Sequence, residues 1–185
     1  MNLQQEIKRI QPLCAQSMEA ARHRFSNIAI PLGSLGLLQD AIIQLAGIQR
    51  RAKPEISKRA VVVFCADNGV VAQGVTQCGQ EVTAIVTENL SCAQTTVCLM
   101  AQKANVDVIP VDIGVAREVN GDKIRKCKIM YGTNDMTQMP AMTREQAFTA
   151  IETGILMAQE CYEKGYQLLC VGEMGIGNTT STAAM

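Results

Sequence analysis

Basic excess is the first thing this 185-residue chain lacks: seventeen Lys and Arg stand against seventeen Asp and Glu. Without surplus positive charge there is no counterion release to drive, so a nucleic-acid binder that neutralises phosphates is not expected. Long apolar runs are missing too. The longest uncharged stretches, 25–39 and 89–102, fall short of the roughly 20 apolar residues a bilayer requires. The N-terminus (Met1-Asn2-Leu3-Gln4-Gln5-Glu6) is polar and acidic rather than basic and then apolar, which argues against a secretory leader and for a cytoplasmic chain. No Cys-x-x-Cys pair occurs among the eight cysteines, and His23 is the single histidine. Neither a disulfide framework nor a structural metal is expected from that set. Cys65 and Cys170 lie inside apolar runs, where a thiol behaves as a small core hydrophobe. Tryptophan is absent and methionine occurs ten times, which suits an adaptable core and excludes nothing.

What is present reads as α/β. Four short apolar runs, 60–65, 106–111, 129–130 (the weakest) and 167–171, lack sustained alternation, as strands buried on both faces do. Between them, apolar residues recur at helical spacing over 36–50 and over 82–104, read as one helix. Thr143-Arg-Glu-Gln146 forms a capping box for a helix over 147–164, with Gly165 placed to end it. The expected fold is a doubly wound, Rossmann-like parallel sheet over residues 26–185. Residues 1–25 read separately, as a polar amphipathic helix over 3–24 interrupted by Pro12, belonging to a small helical domain. His23, the Arg50-Arg51 pair and the four cations between Lys123 and Lys128 read as solvated surface.

Open parallel sheets bind ligands beyond the C-terminal ends of their strands. Three such ends carry an acid and a glycine each: Asp67-Asn68-Gly69, Asp112-Ile113-Gly114 and Gly172-Glu173-Met174-Gly175. The same residues also build ordinary turns. Gly175-Ile176-Gly177-Asn178-Thr179-Thr180 is the richest stretch. Its glycines let backbone N–H groups nest around an anion, its side chains add donors, and a helix opening at Thr179 or Thr180 would favour phosphate. A tight strand-to-helix turn that binds nothing is the alternative. The order Gly-x-x-Gly-x-Gly is not the dinucleotide fingerprint, and no lysine follows to make a P-loop. Glu173 either accepts a proton or hydrogen bond from a neutral part of a ligand, or is an acid favoured by the helix dipole. Asp67 and Asn68 either orient a ligand or hold a turn.

Taken together, Pro31-Leu-Gly-Ser-Leu-Gly36, Gln44-Leu-Ala-Gly-Ile-Gln49, Ala66-Asp-Asn-Gly-Val70, Gly132-Thr133, Pro140-Ala-Met142 and Gly172 to Thr180 resemble the nicotinate-nucleotide:dimethylbenzimidazole phosphoribosyltransferases. The motifs run in the family's order across essentially the whole chain. The resemblance implies transfer of 5-phosphoribose from nicotinate mononucleotide to a benzimidazole nitrogen in cobalamin assembly, releasing nicotinate. It implies no cofactor or metal, a homodimer, and a small helical domain built from both chain ends. It places Gly175, Ile176, Gly177, Asn178, Thr179 and Thr180 at the nucleotide phosphate and Glu173 in a supporting catalytic position. Asp67, Asn68, Cys78, Val86 and Met174 fall at the acceptor-base pocket. Three departures stand out. Asn68 occupies a position where the family commonly has His. Cys78 and Val86 occupy positions where some members have Ser and Gln, so a purine or a phenolic acceptor stands beside dimethylbenzimidazole as an expectation. The family's general-base glutamate lies beyond the equivalent of Met185. A nucleotide-binding module without catalysis of its own is the rival reading.

Overall fold

The computed structural model of the protein describes residues 3–185, and it divides into two compact units between Ile56 and Ser57. In the first unit, α1 (Leu3–Arg9) stops ahead of Pro12, which cannot donate a helical hydrogen bond, and α2 (Ala15–Ser26) follows it. The third helix, α3 (Leu37–Gln49), packs Ile43 and Ala46 against Ala21, Met18 and Phe25 of α2. A Cβ on Gly47 would lie 2.7 Å from the Met18 side chain, so glycine permits this approach. Because α3 shares its core with α2, this first compact unit runs on to Ile56. Gln49 closes the unit with a two-way amide clasp on the Glu55 backbone, both bonds 2.7 Å long.

The second unit is the α/β part. Its elements are β1 (Arg59–Ala66), a 3-10 turn (Gly69–Gln73), α4 (Glu81–Ser91), α5 (Thr96–Ala104) and β2 (Asp107–Gly114). Then come β3 (Arg125–Lys126), α6 (Arg144–Glu163), β4 (Leu168–Met174) and α7 (Asn178–Ala184). The strands are ordered β3-β2-β1-β4, and all pairs are parallel. Alternate residues of β1 serve opposite faces. Val63 and Cys65 pack with Ala84, Leu90 and Cys98 of α4 and α5, while Val62 packs with Met157 and Cys161 of α6. Helices therefore cover both faces, and the chain winds outward from β1 to β2 and back across to β4, as the Rossmann-like reading expects.

Two elements differ from the sequence reading. The weak strand expected at 129–130 is at Arg125–Lys126 instead, although Cys127 and Ile129 still donate to the Asp112 and Ile113 carbonyls. The long helix expected over 82–104 is two. Ala93 takes a left-handed conformation (φ 59°), and Thr95 then caps α5 by accepting from the Cys98 N–H. At α6 both bonds of the capping box form. Gly165 (φ 81°) ends it, with Gly165 donating to Tyr162 and Tyr166 to Cys161, the Schellman pattern. On the outer strand, Val171 is 76% exposed. No helix among the described residues is long and apolar enough to cross a membrane.

Candidate active site

The parallel register brings the three acid-glycine turns to one end of the sheet, since Cys65 pairs with both Asp112 and Met174, and Phe64 pairs with Glu173. They then do different work. Asp67 is 1% exposed; its Oδ2 accepts from the Ala116 N–H at 2.7 Å, and its carbonyl accepts from Thr133. Asp112, 2% exposed, accepts from the Val115 N–H and pairs with Lys128 at 3.0 Å. Asp112 and the Oδ2 of Asp67 thus hold the loop that follows β2, while Asp67 Oδ1 lies buried without a hydrogen-bond partner among the described residues. Lys128 belongs to this frame and not to a solvated face: it also donates to the Val115 and Arg117 carbonyls. Thr133 accepts from the Gly69 N–H, and Asn134 bonds to Ala141 and Pro140, so three of the separated sequence motifs meet beside β1.

Glu173 is the acid left facing outward. It shares the α6 face of the sheet with its register partner Phe64. Burial around its carboxyl pushes its pKa above the ordinary carboxylate value, against hydrogen bonds from Asn178 and Asn68 that favour the ionised form. The residue as a whole is exposed, so the crowding is local to the carboxyl, where those two amides close over it. Asn68 is nearly buried and links the group: its Nδ2 donates to the Ile176 carbonyl at 3.2 Å and its Oδ1 accepts from Ser181 Oγ at 2.7 Å.

The Gly175–Gly177 loop lies directly against this group. A Cβ on Gly175 would collide with the Ala66 carbonyl oxygen and lie 2.8 Å from Asn68 Nδ2. Gly177 sits at φ 85°, ψ 1° and caps α7, a conformation L side chains rarely hold. The helix opens at Asn178, one or two residues earlier than the Thr179 or Thr180 start read from the sequence. Ile176 N–H donates to Thr83 Oγ1 at 3.0 Å, and Asn178 N–H to the Gly175 carbonyl. The Gly177, Thr179 and Thr180 N–H groups find no backbone partner among the described residues. No Lys or Arg occurs in 60–102 or in 165–185, so these elements offer an anion only neutral donors.

Of the other expected site residues, Cys78 is exposed on the loop before α4, where Thr76 Oγ1 donates to its carbonyl. Val86 is half-buried on α4, one turn beyond Thr83, and Met174 packs against the α4-side core. The tie to the loop runs through α4 and its approach: Gln80 Nε2 donates to the Asn68 carbonyl at 3.1 Å, and Thr83 takes Ile176. Sequence reasoning missed Thr83, Gln80 and Ser181. A threonine or glutamine in the first turn of a helix carries no signal that it will brace a loop some 93 residues away. The open cleft of about 740 Å³ lined by Gln102, Asp107, Lys123, Arg125 and Tyr166 lies at the opposite, N-terminal end of β2. All eight cysteines are free thiols, and no group of three or more potential ligands gathers among the described residues to hold a metal.

Comparison with known proteins points to one family. A family model described as Phosphoribosyltransferase (DBI_PRT) matches residues 10–185. The chain belongs to this family. Among its relatives, the nicotinate-nucleotide–dimethylbenzimidazole phosphoribosyltransferase of Clostridium tetani is 39% identical over 99% of the chain and 51% of the relative. That of Acetivibrio thermocellus is 42% identical over 98% and 52%. A crystal structure of the Thermus thermophilus enzyme of that name superposes with a TM-score of 0.87 at 38% identity, covering 93% of this chain and 52% of that one. The chain thus spans about half the length of the family members it matches.

Proposed function

We propose that these residues form the donor-nucleotide side of a phosphoribosyltransferase that moves 5-phosphoribose from nicotinate mononucleotide to a nitrogen of dimethylbenzimidazole or a related aromatic base. In this reaction the bond from ribose C1′ to the pyridinium nitrogen breaks, its electron pair neutralises the ring, and nicotinate leaves. The acceptor nitrogen attacks C1′ and gives up its proton to a base. The single observation that carries the proposal is the loop 175–180. It stands at the C-terminal end of the sheet with free N–H groups and a carboxyl of raised pKa beside it, where open parallel sheets bind ligands. The names of the relatives supply the substrates.

Under this reading Gly175 to Thr180 hold the phosphate through neutral donors. Glu173, with Asn68 and Asn178 on its carboxyl, orients the ring. Cys78, Val86 and Met174 supply the less polar wall toward the acceptor, and Asp67 contributes by fixing the loop behind it. A homodimer and a cytoplasmic setting are part of the same proposal, carried by the resemblance. A positioned base contributes on the order of 10²–10⁴-fold to such a step, and under this reading that base lies outside residues 1–185. The test is nicotinate release from nicotinate mononucleotide, with dimethylbenzimidazole, adenine and phenol offered in turn, by the chain alone and with a second chain supplying the rest of a family member's length. Release by the pair and silence alone supports the proposal. Nucleotide binding without release by the pair favours the binding-module reading.

A further inference from the structure

We infer that Thr83 and Asn68 are positioning residues that set the direction of the Gly177 N–H and, through it, the preference of the site for a phosphorylated nucleotide. The inference rests on the phosphate-loop reading above. Thr83 is fully buried at 0% exposure. Its hydroxyl accepts the Ile176 N–H at 3.0 Å, while its own carbonyl accepts from Thr87 Oγ1 at 2.7 Å. Asn68, 6% exposed, takes the other side of the same residue by donating to the Ile176 carbonyl at 3.2 Å. Both polar groups of Ile176 are thereby pinned, one to α4 and one to the turn after β1.

The consequence follows from peptide geometry. In a trans peptide unit the carbonyl and the following N–H point in opposite directions. Asn68 draws the Ile176 carbonyl toward itself, so the N–H of Gly177 is turned away from Asn68. At the preceding peptide, Thr83 holds the Ile176 N–H, which turns the Gly175 carbonyl the other way, where it meets Asn178 N–H at 3.1 Å. The two pins thus fix the planes of two successive peptide groups and leave one donor free. Ser181 Oγ on Asn68 Oδ1 and Gln80 Nε2 on its carbonyl hold the amide itself in place. Asn68 then acts on the ligand through the backbone, which gives its uncharged amide a reason to stand there.

The experiment is titration calorimetry with nicotinate mononucleotide and with its dephosphorylated riboside, read as the ratio of the two dissociation constants. Thr83→Val keeps the side-chain shape and removes the acceptor, and should cut the mononucleotide-over-riboside ratio at least about tenfold, as expected when a buried donor loses its partner. Thr83→Ser retains the acceptor and should keep the ratio near the parent value. Asn68→Ala should lower the ratio as Thr83→Val does, and decides the matter if Thr83→Val does not fold. Equal weakening toward both ligands, or an unchanged ratio in a folded variant, overturns the positioning role. A parent protein with no preference for the mononucleotide refutes the phosphate-loop reading itself, and the inference falls with it.

Discussion

Replacing Gly177 by alanine tests the loop with one methyl group. Gly177 holds φ 85° and ψ 1°, and an L residue in the left-handed region costs about 1–2 kcal/mol. The added Cβ would also lie 2.9 Å from Val71 Cγ2, the far end of a side chain, which rotation about χ1 relieves. The strain has two outlets. If the loop keeps its shape, the cost appears as lost stability. At roughly 2–4 °C per kcal/mol for a chain of 150–250 residues, that is a fall of about 2–8 °C in Tm. If the loop relaxes in the free protein, the cost is charged on binding, and affinity for nicotinate mononucleotide falls about 5–30-fold. Thermal melts and calorimetry on the same preparations measure both, and the two losses should sum to about 1–2 kcal/mol. A Gly177→Ala protein with the parent's Tm and the parent's affinity would refute the assigned backbone conformation.

Gly175→Ala should be worse, because its Cβ meets the Ala66 carbonyl oxygen, a backbone atom that cannot rotate aside; mononucleotide binding should be lost while circular dichroism of the sheet persists. Lys128→Met strands the carboxylate of Asp112, which is 2% exposed, and should cost about 3–5 kcal/mol in urea unfolding, with Lys128→Met/Asp112→Asn recovering most of it. Glu173 has a raised pKa, so ionising it is harder in the fold than in the unfolded chain. Stability should therefore decline as pH climbs from about 4.5, the ordinary value, through the higher folded value, and Glu173→Gln should flatten that decline in melts taken across pH. Cys78, Cys92 and Cys170 are exposed, whereas Cys65, Cys98 and Cys161 are buried; burial pushes Cys65 up to about 11. Mass spectrometry after a brief thiol pulse at neutral pH should find the first three modified and the last three intact until denaturant is added.

The strands and the α6 caps were legible in the sequence because their signals are local: apolar runs for β1, β2 and β4, and Thr143 with Gln146 for the helix start. What escaped was decided elsewhere. The break between α4 and α5 turns on Ala93 in a left-handed conformation, and alanine is no helix breaker; the only sequence cue was Thr95 as a cap. β3 is two charged residues at the sheet edge, with no burial to write an apolar pattern. At the site, the glycine loop and Glu173 stood out by composition. Asp67 read as either orienting a ligand or holding a turn; its Oδ2 ties down the Ala116 N–H, and its Oδ1 lies buried without a partner among the described residues. Asn68 falls at the acceptor-base pocket by resemblance, and its amide ties Ile176 and Ser181 while also reaching the Glu173 carboxyl. Side-chain direction at a strand end depends on the neighbouring loops, which a linear motif does not encode.

The most direct test of the central claim is a crystal structure of the protein with nicotinate mononucleotide bound. The account predicts the phosphate within hydrogen-bonding distance of the Gly177, Thr179 and Thr180 N–H groups, with the nicotinate ring turned toward Glu173. A phosphate seated anywhere else, with the 175–180 loop left empty in the same crystal, would contradict it.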